Sequence, residues 1–284
     1  MDQRRDITIL ARDGFELGAS MHGPESDVVT VIAGATGVPH RFYRRFAGAL
    51  AEAGHRAVTF DFRGVGDSRP EPLRGFDATA SDWIFQDLDG VLDFVRRRLD
   101  PERVAIVGHS FGGQVAGMLD NAGVVDAMLT VSSQSGYWRI QGGGQKYAVW
   151  AHFHLVIPIT TALLGYAPMS RLGVGEDLPE GVAREWARWG RHPRYLLGMG
   201  YLPSERYAAF RAPVLAYSID DDDWGTARSV DAMMGAYPVL ERRHLVPADL
   251  GVESLGHMGW FKAHASALWE PAIEWLDRNV DRST

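Results

Sequence analysis

Gly108-His109-Ser110-Phe111-Gly112 is the stretch whose reading decides the fold. An apolar run, Arg103-Val104-Ala105-Ile106-Val107, leads into it, and a helix-compatible run from Gln114 to Leu119 leaves it. Strand, Gly-x-Ser-x-Gly turn and helix together describe a nucleophile elbow, which lifts its serine out at the head of a helix. The two glycines remove side chains that would block so tight a turn, and the helix start puts the hydroxyl near a positive dipole end. Five residues alone say little. The buried strand before them and the helix after them make the pattern specific.

Working outward, Val28 to Ala33, Ala57 to Phe60 and Val104 to Val107 are continuous apolar runs, suited to strands covered on both faces. Ile7 to Leu10 and Phe15 to Met21 read as a hairpin about the Arg12-Asp13-Gly14 turn. Between the buried runs, Ile84, Leu88, Val91, Leu92, Val95 and Leu99 fall at helical spacing, with Ser81 or Asp82 as N-cap and Pro101 beyond the end. A strand is expected from Val124 to Ser132. Alternation then stops for about seventy residues and resumes with a strand at Ala212 to Ser218, a helix near Thr226 to Tyr237, a strand near Glu241 to Val246 and a helix from Trp260 to Asn279. The pattern predicts an α/β fold with a mostly parallel central sheet, helices on both faces and an inserted, mainly helical cap. Residues 1–135 and 208–284 form the expected core, and 136–207 the cap.

Composition narrows the function. A chain of 284 residues with 46% hydrophobic content can bury a large core, and a net charge of −7 disfavours a nucleic-acid partner. Without cysteine there is no disulfide, thiol nucleophile or cysteine zinc site. The start, Met1 to Asp6, lacks the apolar segment of a secretory signal, so a cytoplasmic location is expected. Tyr147 to Met169 carries no charge and is long enough to test as a membrane span. His152, His154, Pro158, Thr160 and Thr161 interrupt it, and a crossing would part Ser110 from the C-terminal third. The reading is therefore no membrane span but a buried or pocket-lining segment.

A serine hydroxyl needs a base, and the base needs a carboxylate to orient it. Among ten histidines, His257 stands out, because Leu255-Gly256-His257-Met258-Gly259 is a flexible loop between the last strand and the last helix. The acid should come from Asp220-Asp221-Asp222-Asp223, which follows a strand; Asp222 is the choice and Asp221 the next. The order Ser110, Asp222, His257 matches the order of nucleophile, acid and base that goes with such an elbow. Four consecutive carboxylates cannot easily converge on one ion, which argues against a metal there. Oxyanion donors are expected in the amides of Phe111, just after the serine, and Ala35, in the small-residue loop Ala33-Gly34-Ala35-Thr36-Gly37. Tyr137, Trp138, Trp150, Phe153, Leu155 and Ile157 are candidates for an apolar substrate pocket, although core packing accounts for such aromatic density equally well. His152 and His154 lack identifiable further ligands, so no metal is assigned. Gln141-Gly142-Gly143-Gly144-Gln145 reads as a flexible hinge, and Trp186, Trp189 and Tyr195 interleave with Arg184, Arg188, Arg191 and Arg194 on a cap helix with a solvated basic face.

The chain resembles the α/β-hydrolase superfamily over nearly its whole length, and within it a bacterial predicted-hydrolase branch. The resemblance rests on Ala33 to Gly37, Asp61-Phe62-Arg63-Gly64-Val65-Gly66-Asp67-Ser68, the elbow, Asp221-Asp222-Asp223-Trp224 and Gly256-His257. It implies the α/β-hydrolase fold, with Asp61 to Ser68 as a structural turn bordering the pocket; the glycine spacing there is not that of a dinucleotide loop. Ala33-Gly34 stands where His-Gly is common, and Ser110 itself disfavours branches with an aspartate nucleophile. The implied activity is a serine hydrolase that cleaves small-molecule esters or thioesters of apolar acyl groups through an acyl-enzyme, with no cofactor and no metal. Acyl transfer by the same residues, or ligand binding on a non-catalytic hydrolase fold, are the alternatives, and a homodimer is left open.

Overall fold

The computed structural model describes residues 4–173 and 175–280. Ten strands are present among them: β1 (Arg5–Leu10), β2 (Glu16–His22), β3 (Val28–Ala33), β4 (Arg56–Phe60), β5 (Arg103–His109), β6 (Ala127–Val131), β7 (Tyr166–Ala167), β8 (Leu178–Pro179), β9 (Val214–Ile219) and β10 (Leu240–Leu245). Eight of them make one sheet in the order β1-β2-β4-β3-β5-β6-β9-β10. β2 runs antiparallel to both neighbours and every other pairing is parallel. β3, β4, β5, β6 and β9 are buried almost throughout, as their unbroken apolar runs require. Their C-terminal ends share one edge of the sheet. The loops that could carry chemistry therefore converge there.

Helices cover both faces. One face packs against α1 (Arg44–Glu52) and the C-terminal helix, with Phe46, Trp260, Phe261 and Trp269 in edge-to-face contact. The other carries the helix over residues 80–99, the elbow helix and the cap segment. The expected cap residue, Ser81 or Asp82, is corrected to Thr79: its hydroxyl accepts the Asp82 amide while the Asp82 carboxylate accepts the Thr79 amide, a reciprocal box that satisfies two orphan donors. The expected strand from Val124 begins only at Ala127, because residues 122–124 close a 3-10 turn. The helix expected from Trp260 likewise starts later. Two 3-10 turns, Gly259–Phe261 and Ala263–Leu268, precede the helix Trp269–Val280.

The elbow helix is also shorter than expected, running only over Phe111–Val115 before a 3-10 turn at Ala116–Met118. The Tyr237 hydroxyl accounts for this. It accepts the Gly117 amide at 2.9 Å and donates to the Gly113 carbonyl at 3.0 Å, standing inside the i to i−4 ladder. Tyr207 donates to the Gln114 carbonyl beside it. Tyr237→Phe is expected to leave two buried backbone groups without that bridge and to lower unfolding stability by about 1–3 kcal/mol. Urea denaturation with an unchanged slope would register the loss as a shift in midpoint.

Between β6 and β9, residues 136–207 are mainly helical. A 20-residue helix, Gln145–Leu164, is long and apolar enough to cross a membrane by length and composition. Val149, Phe153, Ile157 and Thr161 recur every fourth residue and are buried, whereas Leu155, Ile159 and Leu163 on the opposite face are 46%, 54% and 70% exposed. The expectation of a buried segment thus holds for one face only, since a helix lying on a core can bury one stripe. This segment is tied to the Asp61–Ser68 turn by Glu176, whose carboxylate accepts the Gly66 amide and pairs with Arg41. The turn is itself pinned by Asp61, which accepts the backbone amides of His40 and Asp67 and meets His40 Nδ1 at 2.8 Å.

Candidate active site

Ser110 sits at φ 49°, ψ −112°, a strained conformation for a residue with a side chain. Close packing enforces it. A Cβ on Gly108 would run into the Gly113 backbone, and one on Gly112 into the Ala33 carbonyl, so only glycine lets the elbow helix lie this near β3 and β5. The Ser110 amide donates to the Val131 carbonyl and the Gly112 amide to the Gly34 carbonyl, stitching the turn to the strands on either side. Two further non-glycine residues with positive φ, Ser132 and Tyr195, lie nearby, one directly after β6 and the other in the cavity wall.

The cavity holds about 260 Å³ and is lined by both Ser110 and His257. His257 Nδ1 lies 2.8 Å from Asp222 Oδ2, and Asp222 is 2% exposed. The other oxygen of Asp222 accepts the amides of Trp224 and Gly225. Burial by itself would raise the Asp222 carboxyl; the adjoining His257 and these hydrogen bonds outweigh it and hold the group below its usual value. Asp221 faces the other way. Its carboxylate accepts the Ser254 hydroxyl and the amides of Leu255 and Gly256, fastening the loop that carries His257. Of the two adjacent aspartates, one meets the imidazole and its neighbour holds the loop. The Ser110 hydroxyl donates to Gln134 Oε1 at 3.4 Å, and no hydrogen bond joins it to His257 among the described residues.

A buried chain of hydrogen bonds runs behind these groups. The Ala35 amide donates to the Tyr43 hydroxyl at 2.8 Å, and that hydroxyl lies 2.9 Å from His109 Nδ1. His109 Nε2 lies 2.8 Å from the His257 carbonyl. Burial pushes His109 down to about 3, so its ring is neutral, and donation to the carbonyl places the proton on Nε2 and leaves Nδ1 to accept from Tyr43. The chain connects the loop after β3, the elbow and the loop of His257. It also corrects one expectation. The Ala35 amide is already committed to Tyr43, because Tyr43 is buried against Gly34 just behind it. The amides of Phe111 and of Thr36, which lines the cavity, have no hydrogen-bond partner among the described residues.

The expected pocket aromatics are largely displaced. Phe153 lines the cavity, but Tyr137, Trp138 and Trp150 do not. Trp150 stacks on His154, Trp138 meets the same imidazole edge-on, and Tyr137 packs against Trp138. Leu155 is exposed and Ile157 lies in the core. Val149, Trp186, Tyr195 and Trp224 complete the aromatic and aliphatic wall. His154 Nδ1 bonds the Trp150 carbonyl, and His152 packs among Phe153, Trp186 and Trp224, where burial lowers it to about 4. Sequence reasoning also missed three glutamines that line the cavity: Gln114, four residues after the nucleophile position; Gln134, in the loop after β6; and Gln141, beside the triple glycine. Their places after strands and next to a run of three glycines were the available signal.

Comparison with known proteins agrees with this architecture. The pattern described as Alpha/beta hydrolase family matches residues 22–268. RutD of Variovorax paradoxus (strain S110), which carries the name of a carbamate hydrolase, is 32% identical over 117 residues, 40% of this chain; the match spans 41% of RutD's own length. An esterase of Pyrococcus furiosus superposes with a TM-score of 0.63 at 14% identity, covering 98% of this chain and 92% of that one. An esterase of Exiguobacterium antarcticum gives 0.65 at 14% identity, over 96% of this chain and 100% of its own. At such identities the likeness is one of fold.

Proposed function

The chain belongs to the alpha/beta hydrolase family, and from that premise we propose that it is a serine hydrolase cleaving carboxylic ester or thioester bonds through an acyl-enzyme on Ser110. The observation that carries the reading is the buried Asp222 carboxylate 2.8 Å from His257 Nδ1, in a cavity shared with a strained elbow serine. With Nδ1 given to Asp222, Nε2 of His257 is the nitrogen left for Ser110. The serine turns from Gln134 toward Nε2, loses its proton there and attacks the carbonyl carbon. The oxyanion so formed meets the Phe111 amide at the head of the elbow helix and, with Ala35 engaged by Tyr43, the Thr36 amide. His257 returns the proton to the departing alcohol or thiol. It then takes one from water, which attacks the acyl-enzyme, and passes that proton to Ser110 Oγ as the acid departs.

A fluorophosphonate probe tests the scheme, since it phosphonylates only a serine whose base is in place. One equivalent of label at Ser110 is expected on the native protein, and Ser110→Ala and His257→Ala should take none. Label at another residue, or none on the native protein, sinks the reading. Product analysis with a competing alcohol separates hydrolysis from acyl transfer.

A further inference from the structure

An acyl pocket for plain hydrocarbon should be lined by hydrocarbon, and this one is not. Gln114, Gln134 and Gln141 come from the elbow helix, the loop after β6 and the residue before the three glycines, and all three line the same cavity while remaining at least 94% buried. Each has one end of its amide occupied. Gln114 Oε1 accepts from Tyr195, Gln134 Oε1 accepts from Ser110, and Gln141 Nε2 donates to the Ser135 carbonyl. The other ends, Nε2 of Gln114, Nε2 of Gln134 and Oε1 of Gln141, have no hydrogen-bond partner among the described residues. Two amide donors, of Gln114 and Gln134, therefore face a space lined otherwise by Thr36, Ser110, His257 and aromatic and aliphatic side chains, and the unpaired Gln141 Oε1 lies buried within its wall. Among the described residues that line it, none carries a fixed charge.

The geometry points to a substrate whose acyl part is small and neutral and carries a second, amide-like donor and acceptor beyond the reacting carbonyl, with Gln114 and Gln134 as specificity-determining residues. This rests on the serine-hydrolase reading above. A carboxylate, phosphate or ammonium on the acyl group would find no counter-charge in the cavity. An aliphatic chain would displace solvent from two amide donors and bond to neither, whereas an amide group accepts from them and donates to Gln134 Oε1, which Ser110 frees when it turns to His257. A site built to hydrogen-bond its substrate rejects the analogue that lacks the polar group far more strongly than an apolar pocket tells one methylene from the next. At about 260 Å³ the space lies just below the usual range for drug-sized ligands, which favours a short acyl group.

The test compares p-nitrophenyl esters of N-acetyl-β-alanine and of its hydrocarbon isostere, 5-methylhexanoic acid, each rate divided by that ester's uncatalysed hydrolysis. The native protein should favour the amide ester in kcat/KM by about tenfold or more. Gln134→Leu and Gln114→Met, made separately because they lie in different elements and either could fail to fold, should each bring the ratio back toward one through loss on the amide ester. A ratio of one or less in the native protein, or a ratio that neither variant moves, overturns the proposal. Fluorophosphonate labelling of Ser110 on the same preparation separates the levels: label with the wrong ratio sinks the specificity alone, and absence of both label and turnover sinks the hydrolase reading with it.

Discussion

Ser110→Ala is expected to lower kcat for ester hydrolysis by roughly 10⁵-fold, the scale on which removing one member of an acting unit of nucleophile and base abolishes its chemistry. Binding should survive, because the aromatic walls and the amides of Phe111 and Thr36 do not depend on the hydroxyl. The variant should therefore show kcat collapsed with substrate affinity within a few-fold of native. Folding should be nearly unaffected: the backbone at position 110 is held by the Val131 carbonyl, and alanine relieves none of the strain at φ 49°. Ester turnover persisting at more than a hundredth of the native rate would assign the chemistry elsewhere.

The second large effect separates two neighbours in the sequence. Asp222→Asn should lower kcat by about 10⁴-fold, because a carboxamide facing Nδ1 no longer fixes the tautomer or offsets the imidazolium charge. Asp221→Asn should leave kcat within about tenfold and act on stability instead, as its carboxylate accepts three hydrogen bonds from residues 254–256. The sign with pH follows from the lowered value of Asp221. Burial would raise it, but the Ser254 hydroxyl and the loop amides outweigh that, and its folded value lies below its unfolded one. Its contribution is thus present above the ordinary carboxylate value of 3.8 and is lost as pH falls through the folded value. Thermal melting between about pH 6 and 3 should accordingly fall less steeply in Asp221→Asn than in the native protein. Equal losses of kcat in the two variants would remove the distinction drawn between them.

The elbow was legible because its signal is local: five residues between a buried strand and a helix carry both the turn and its reason. The sheet followed from continuous apolar runs that only a covered strand explains. Asp221 and Asp222 could not be told apart, since adjacent side chains in a turn differ only in the direction the chain takes after Ile219. Ala35 was misjudged because nothing in the loop sequence shows that a tyrosine eight residues on reaches back beneath it. The cavity was the least readable part. Tyr137, Trp138 and Trp150 have the composition of a pocket and the contacts of a packed cap, while the glutamines that line the cavity come from three separate segments.

The path from Ala35 through Tyr43 and His109 to the carbonyl of His257 bears on how this sequence can change. Each member is satisfied by the next, so no single replacement keeps all the bonds: phenylalanine at 43 strands an amide and an imidazole nitrogen, and any apolar residue at 109 strands a hydroxyl and a carbonyl. Positions 43 and 109 should behave epistatically, the double replacement costing less than the sum of the singles. The first variable position of the Gly-x-Ser-x-Gly pattern is, in this protein, free to vary only in company.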